Sequence, residues 1–285
     1  MKKSLILILV TIMMLGMLTA CAPAAESEAP EAPVEEVAVE SDELTLAALS
    51  EKGVLVVGTA ITKPFEYHDP ETNELIGFDV DVANYIANEL GVEIEFSEMP
   101  FASLIPSLET RKVDMTIAAM YIKPEREEVV DFATPYMETG LVMVVSPELA
   151  GKVNTPEDLD GLKVGVKIGA TGDALAKEFI EQGIALERKE YKETLESFAD
   201  LEFGRVDAVL NDYLNTLAYL KDTGSEAVVV TLESGEVNFL SSVGLGIAVH
   251  DGDAELLAKI NQILEEMHAN GTYDELYAKW LGVTQ

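Results

Sequence analysis

From about residue 46 onward, short apolar runs alternate with amphipathic stretches. "GVLVVGTA" (53–60) is apolar without a period and reads as a strand covered on both faces. "FDVDVANYIANELG" (78–91) puts Val82, Ile86 and Leu90 on one helical face, with Gly91 as the C-terminal cap. "VEIEFSEM" (92–99) alternates as a strand does, "SLIPSLETRK" (103–112) predicts a short helix, and "VDMTIAAM" (113–120) another strand. Pro124 suits the first residue of a helix, because its missing N–H is one that a helix start leaves unpaired. "GLVMVVSP" (140–147) is a long apolar strand.

The alternation then restarts. "KVGVKIG" (163–169) predicts a strand running into the helix "GDALAKEFIEQG", and "ALERKEY" a weaker strand. "ETLESFADLEFG" reads as a helix, "VDAVLND" (206–212) as a strand, and a helix follows over about 213–222. "AVVVTLES" (227–234) and "VGLGIAVH" (243–250) are further strands, and "DAELLAKINQILEEMHANG" and "TYDELYAKWLG" close the chain as helices. Strand–helix alternation of this kind gives α/β units with helices on both faces of mainly parallel sheets. Two such runs joined by a long strand predict two lobes, with ligands beyond the C-terminal ends of the strands.

The first residues follow different rules. "MKKSLILILVTIMMLGMLTAC" has a basic start, an apolar run and small residues before Cys21, the pattern of a secretion signal over 1–20. Leu18-Thr19-Ala20-Cys21 resembles the bacterial lipobox, which makes Cys21 the expected site of lipidation and of membrane anchoring. It is the single Cys, so an intramolecular disulfide is excluded. Residues 22–43 carry Pro and acids without Lys, Arg or aromatics, which predicts a disordered acidic linker over 21–43. The net charge of −33 repels phosphate and argues against nucleic-acid binding.

Arg126 poses a local question, since a cation in the first turn of a helix opposes the helix dipole. Either it pairs with neighbouring Glu at the surface, or it receives an anionic ligand through two parallel hydrogen bonds. Asp212, at the end of "VDAVLND", either caps the following helix or faces the cleft, and both roles are compatible.

"GTAITKPFEY", "LIGFDVDVANYIANELG", "PFASLIPSLETRKVDMTIAAMYIKPEREEVVDFATPY", "LDGLKVGVKIGATG", "GRVDAVLND" and "NGTYDELYAKWLG" occur in that order. Together they resemble the extracellular solute-binding proteins of family 3, receptors that feed amino acids to ABC importers, over about residues 46–284. The resemblance implies a two-lobed periplasmic-binding-protein-like fold of type II, with a ligand cleft between the lobes and a two-strand hinge. Lobe 1 is expected over 44–145 and 243–285 and lobe 2 over 146–242, with crossings near Val144–Pro147 and Val237–Val243. It implies that Arg126 takes the ligand's α-carboxylate and Asp212 its α-ammonium. Phe101 would stack on the ligand's side chain, Ala118, Ala119 and Tyr121 would lend backbone groups, and Thr171 and Lys167 would add contacts. Tyr121 stands where many relatives have Thr or Ser.

The departures bear on specificity. Ala60 replaces an Asp that receptors for basic amino acids use, and the loop before "PFE" is one residue shorter and lacks an aromatic. Phe65 or Tyr67 is the candidate replacement wall, with a place in the core as the alternative for Phe65, and Lys63 is a candidate partner for an acidic side chain if it points inward. A neutral polar or acidic amino acid is therefore the expected ligand, and arginine, lysine and histidine are expected to bind poorly. No cofactor or metal is implied, the partners are an amino acid and a permease, and a monomer is expected.

Two other classes share these features. An enzyme resembling the periplasmic cyclohexadienyl dehydratases has the same fold, but none of His68, His250 and His268 falls in the matched motifs, and Glu66 and Glu98 are only loose acid–base candidates. A sensor module without transport has the same site, and a neighbouring permease would distinguish it.

Overall fold

The computed structural model describes residues 43–282. The expectations placed on the signal, Cys21 and the linker up to residue 42 lie outside the described residues.

The first part of the chain forms α1 (Leu46–Lys52), β1 (Val54–Thr59), β2 (Tyr67–His68), β3 (Leu75–Ile76), α2 (Phe78–Leu90), β4 (Glu93–Glu98), α3 (Leu104–Glu109), β5 (Met115–Thr116), α4 (Pro124–Glu127) and β6 (Val130–Phe132). Then follow β7 (Met137–Val145), β8 (Lys163–Lys167), α5 (Thr171–Glu181), β9 (Glu187–Tyr191), α6 (Thr194–Glu202), β10 (Ala208–Asp212), α7 (Tyr213–Thr223) and β11 (Val228–Val229). The chain ends with β12 (Phe239–Leu245), β13 (Ala248–His250), α8 (Ala254–Ala269) and α9 (Thr272–Leu281).

Two sheets carry two lobes. The first runs β4-β1-β5-β13-β6, with β1 parallel to β4 and β5 and β13 antiparallel to its neighbours. β1 is an inner, apolar strand; Leu55 and Val57 are fully buried. β4 lies at the edge and alternates in burial. α2 presents Phe78, Val82 and Ile86 to the core, each worth about 1.5–3 kcal/mol of burial. It stops at Gly91, whose φ of +70° is the left-handed conformation that glycine adopts without a Cβ penalty.

The second sheet runs β11-β7-β10-β8-β9, with β12 also on β7. β8, β9 and β10 are parallel, and β7 runs antiparallel to β10 and β12.

Three expectations change here. The strand read at 140–147 begins at Met137, and from Leu141 to Val145 it pairs with β10. Residues 137–145 therefore belong to the second sheet, yet Met137 and Leu141 pack in the first lobe's core and Met143 and Val145 in the second's, so the outward crossing runs within β7, ahead of Val144–Pro147. The apolar run 243–250 is two strands in different sheets, broken at Gly246. Leu240 packs against both cores, and Val243 and Leu245 against the first lobe's, so the return crossing runs within β12 and overlaps the expected Val237–Val243. A Cβ at Gly246 would stand 2.6 Å from Ile122 Cγ1 and 2.8 Å from Phe132 Cδ1, so close packing against the first lobe needs glycine. Finally, only Met115 and Thr116 of the strand read at 113–120 form a ladder, because the backbone turns away at Ala119, where φ is +47°.

Candidate functional site

A cavity of about 50 Å³ lies between the lobes at the strand ends, with Phe101, Ala118, Ala119 and Tyr121 on one side and Lys167, Thr171, Asn211 and Asp212 on the other. Most of the residues singled out from the sequence meet there.

α4 is a single turn with Pro124 at its start, and it buries one residue, Arg126, to 8 % exposure. The guanidinium donates to the carbonyls of Tyr121 at 2.7 Å and of Gly169, in the other lobe, at 3.3 Å. It also lies 5.4 Å from the centre of the Phe101 ring. Burial pushes its pKa down to about 10, opposed only by Glu125. Glu125 itself is engaged by Lys123 at 2.8 Å. Among the described residues no carboxylate lies within ion-pair distance of Arg126, so the surface-pair alternative does not hold.

Asp212 ends β10 and caps α7, accepting from the Asn215 N–H at 2.9 Å. Its other oxygen accepts from Tyr121 Oη and Thr139 Oγ1, both at 2.8 Å. Shielding raises its pKa, and the hydrogen bonds from Asn215, Tyr121, Thr139 and the Leu214 backbone oppose the rise. Tyr121 is buried, and that burial together with the Asp212 charge holds its phenol protonated.

Lys167 ends β8 inside the cavity wall at 6 % exposure. Its ammonium donates across the cleft to the Ile61 carbonyl at 3.2 Å and Thr62 Oγ1 at 3.0 Å, and stands 3.7 Å from Glu193. Burial lowers its pKa, and Glu193 and Glu66 oppose that. Its Nζ is also 5.3 Å from the Phe101 centroid, so two cations approach one ring, an arrangement favoured by the ring quadrupole. Thr171 is the first residue of α5 and lines the cavity, while Ala170 is the cap.

Behind this wall lies a buried acidic pair. Asp79 accepts from the Ala119 N–H at 2.7 Å and from Tyr136 Oη at 2.9 Å, which holds Ala119 in its left-handed conformation. Burial pushes Asp79 up to about 6. Glu66 is fully buried, with no donor to either carboxyl oxygen among the described residues, and burial and then the Asp79 charge raise its pKa well above the usual range. Glu66 does not line the cavity, so it is not placed there as the loose acid–base candidate of the sequence. Glu98, the other, is engaged by His68 at 2.7 Å.

Two expectations fail on geometry. Phe65 is fully buried in the first lobe's core and does not line the cavity, because Gly77 seats α2 directly against its backbone. Lys63 points away: it pairs with Asp222 at 2.5 Å and lies 4.7 Å from the Tyr67 ring centre. Sequence reading missed Thr62, Thr139, Thr194 and Asn211. Asn211 adjoins Asp212 in the same motif and was within reach of inspection. Thr139 arrives because the β7–β10 ladder sets Leu141 opposite Asp212, which leaves Thr139 just beyond that strand's end, and no local signal exists for this.

No helix among the described residues is long and apolar enough to cross a membrane. A family model described as bacterial extracellular solute-binding proteins, family 3, matches residues 55–283. The chain is 35% identical over 236 residues to a putative ABC transporter arginine-binding protein 2 of Escherichia coli (strain K12), covering 83% of this chain and 93% of that protein. It is 31% identical over 286 residues to the ABC transporter glutamine-binding protein GlnH of Bacillus subtilis (strain 168), covering 99% and 98%. Among solved structures, an ancestral arginine-binding protein bound to glutamine superposes with a TM-score of 0.72 at 42% identity, over 81% of this chain and 99% of that one.

Proposed function

The chain belongs to the bacterial extracellular solute-binding proteins of family 3, and on that premise we propose that it captures one amino acid in the interlobe cleft and delivers it to an ABC importer. The observation that carries this reading is Arg126: a buried guanidinium beside a cavity, with carbonyls and, among the described residues, no carboxylate as partners. A ligand carboxylate supplies the missing counter-charge through two parallel bonds. Across the cavity Asp212 supplies the carboxylate for the ligand's ammonium, and Phe101 an apolar surface for its side chain.

The side-chain preference follows from the third charge. Lys167 lines the cavity, so a cationic side chain meets a like charge, while an amide or carboxylate oxygen accepts from it. Ala60 is buried beside Phe101 and offers no counter-charge for a cation. Neutral polar and acidic amino acids are thus favoured over arginine and lysine, although relatives carry arginine in their names. The recognition runs through Lys167 and not through Lys63. Binding energy spent on groups from both lobes stabilises the closed form by the ligand's differential affinity. A binding role fits better than a catalytic one, because the titratable groups at the cavity are fixed by protein partners rather than aimed at a common point.

Calorimetry of the folded part (44–285) against the twenty amino acids tests this. Tight binding of glutamine or glutamate with weak arginine supports the reading, and tight arginine or lysine overturns the side-chain assignment. Prephenate turnover followed by ultraviolet absorbance would establish the enzyme instead. The anchoring is tested separately. Labelled palmitate should enter the full-length protein in cells and disappear with Cys21→Ser, and persistent label would place the lipid elsewhere.

A further inference from the structure

We propose that Tyr121 sets the preference of this site by competing with the ligand's ammonium for Asp212, an inference that rests on the amino-acid reading above. A carboxylate offers about four acceptor positions on its two oxygens. At Asp212 three of them have protein donors. One oxygen takes the hydroxyls of Tyr121 and Thr139, each at 2.8 Å. The other takes the Asn215 N–H at 2.9 Å. An ammonium brings three donors and no acceptor, and one open position receives only one of them, so closer contact with Asp212 requires one of these donors to leave.

The three differ in how they are held. Asn215 belongs to the first turn of α7, which Asp212 caps. Thr139 stands on β7 just before Leu141, the ladder partner of Asp212. Tyr121 alone comes from the segment between β5 and α4 in the other lobe, and it alone of the three lines the cavity. Opening the cleft carries its phenol away from Asp212 and leaves the other two in place. The ligand's ammonium then takes the vacated position, and closure finds the phenol against the ligand. Tyr121 thus holds the site shut with the same acceptor that the ligand needs, and each amino acid bound replaces one hydrogen bond already made.

The consequence is a reduced reward for the ammonium. A compound with the α-carboxylate but no amine leaves the Tyr121–Asp212 bond intact. The native site therefore separates an amino acid from its deaminated analogue less sharply than one without the phenol. Hydrogen bonds to charged groups are worth enough that Tyr121→Phe should tighten glutamine about tenfold and leave glutaramate, the same molecule without its α-amine, unchanged or weaker.

The experiment is calorimetry of glutamine and glutaramate on wild type and Tyr121→Phe, together with the carboxyl NMR titration of Asp212 in both ligand-free proteins. A rise of about tenfold in the glutamine-to-glutaramate preference, with Asp212 titrating at higher pH in the variant, is the expected result. An unchanged preference, or weaker glutamine binding in Tyr121→Phe, overturns the competition and makes the phenol an ordinary ligand contact. Should wild type bind neither compound, the assigned ligand class fails, and the titration still decides whether Tyr121 occupies Asp212: coincident curves say that it does not.

Discussion

Replacing Arg126 with leucine separates its two energetic roles. In the ligand-free protein the guanidinium is a cost, because burial lowers its pKa from 12.5 to about 10, which at 1.36 kcal/mol per tenfold is about 3 kcal/mol. Its bonds to the carbonyls of Tyr121 and Gly169 return about 1.5–3 kcal/mol each, the longer one at the low end. Leucine relieves the first term, forfeits the second and keeps most of the apolar contact with Phe101. The terms are of similar size, so ligand-free melting should move by no more than about 4 °C. Binding has no such offset. The ligand carboxylate would be buried without its partner, which costs about 3–5 kcal/mol, roughly a hundredfold or more in Kd. Calorimetry of the preferred amino acid and a melting curve without ligand measure the two effects independently. An unchanged Kd would refute the carboxylate assignment. A collapse of the ligand-free melting point would instead make Arg126 a structural residue.

Other perturbations give separate tests. Asp212→Asn keeps the shape and the α7 cap acceptor but loses the charge, and should weaken any α-amino acid about tenfold or more with little change for its deaminated analogue; equal losses for both would refute the ammonium assignment. Lys167→Met should relax discrimination against arginine in a calorimetric panel, and unaltered ratios would remove Lys167 from side-chain selection. For the buried acids the folded-state pKa is raised, so the folded protein holds more protons than the unfolded chain. Stability then falls as pH rises from about 4 through about 6 for Asp79, and further for Glu66. The groups facing Glu66 are Asp79, Lys167 and Thr62. Glu66→Gln should therefore gain melting temperature relative to wild type as pH goes from 5 to 8, and a gap independent of pH would show that Glu66 is not protonated in the fold.

Much of the fold was legible because alternation of apolar runs and amphipathic helices reports burial directly. α2, α8 and β10 emerged close to the expected limits, since each buries one continuous face or run. What failed was partnership. The run 243–250 is uniformly apolar, and nothing local says that its halves pair in different sheets on either side of Gly246. Likewise Glu138 and Thr139 look like loop residues but pair with β12. At the site, Arg126 and Asp212 were legible through motifs and strand ends. Phe65 and Lys63 were misplaced because an aromatic or a cation near a cleft motif has no sign of direction in sequence. Thr139 reaches Asp212 from an adjacent strand, a relation that only register creates.

The two crossings between lobes are not independent cables. β7 and β12 are laced together, from Met137 opposite Leu245 to Val142 opposite Phe239, so the chain passes out and back as one ribbon. A ribbon bends and twists as a unit and resists sliding of one edge past the other. The two lobes are therefore tied by a hinge whose two strands share one register, so relative motion of the lobes is confined to bending and twisting of that ribbon.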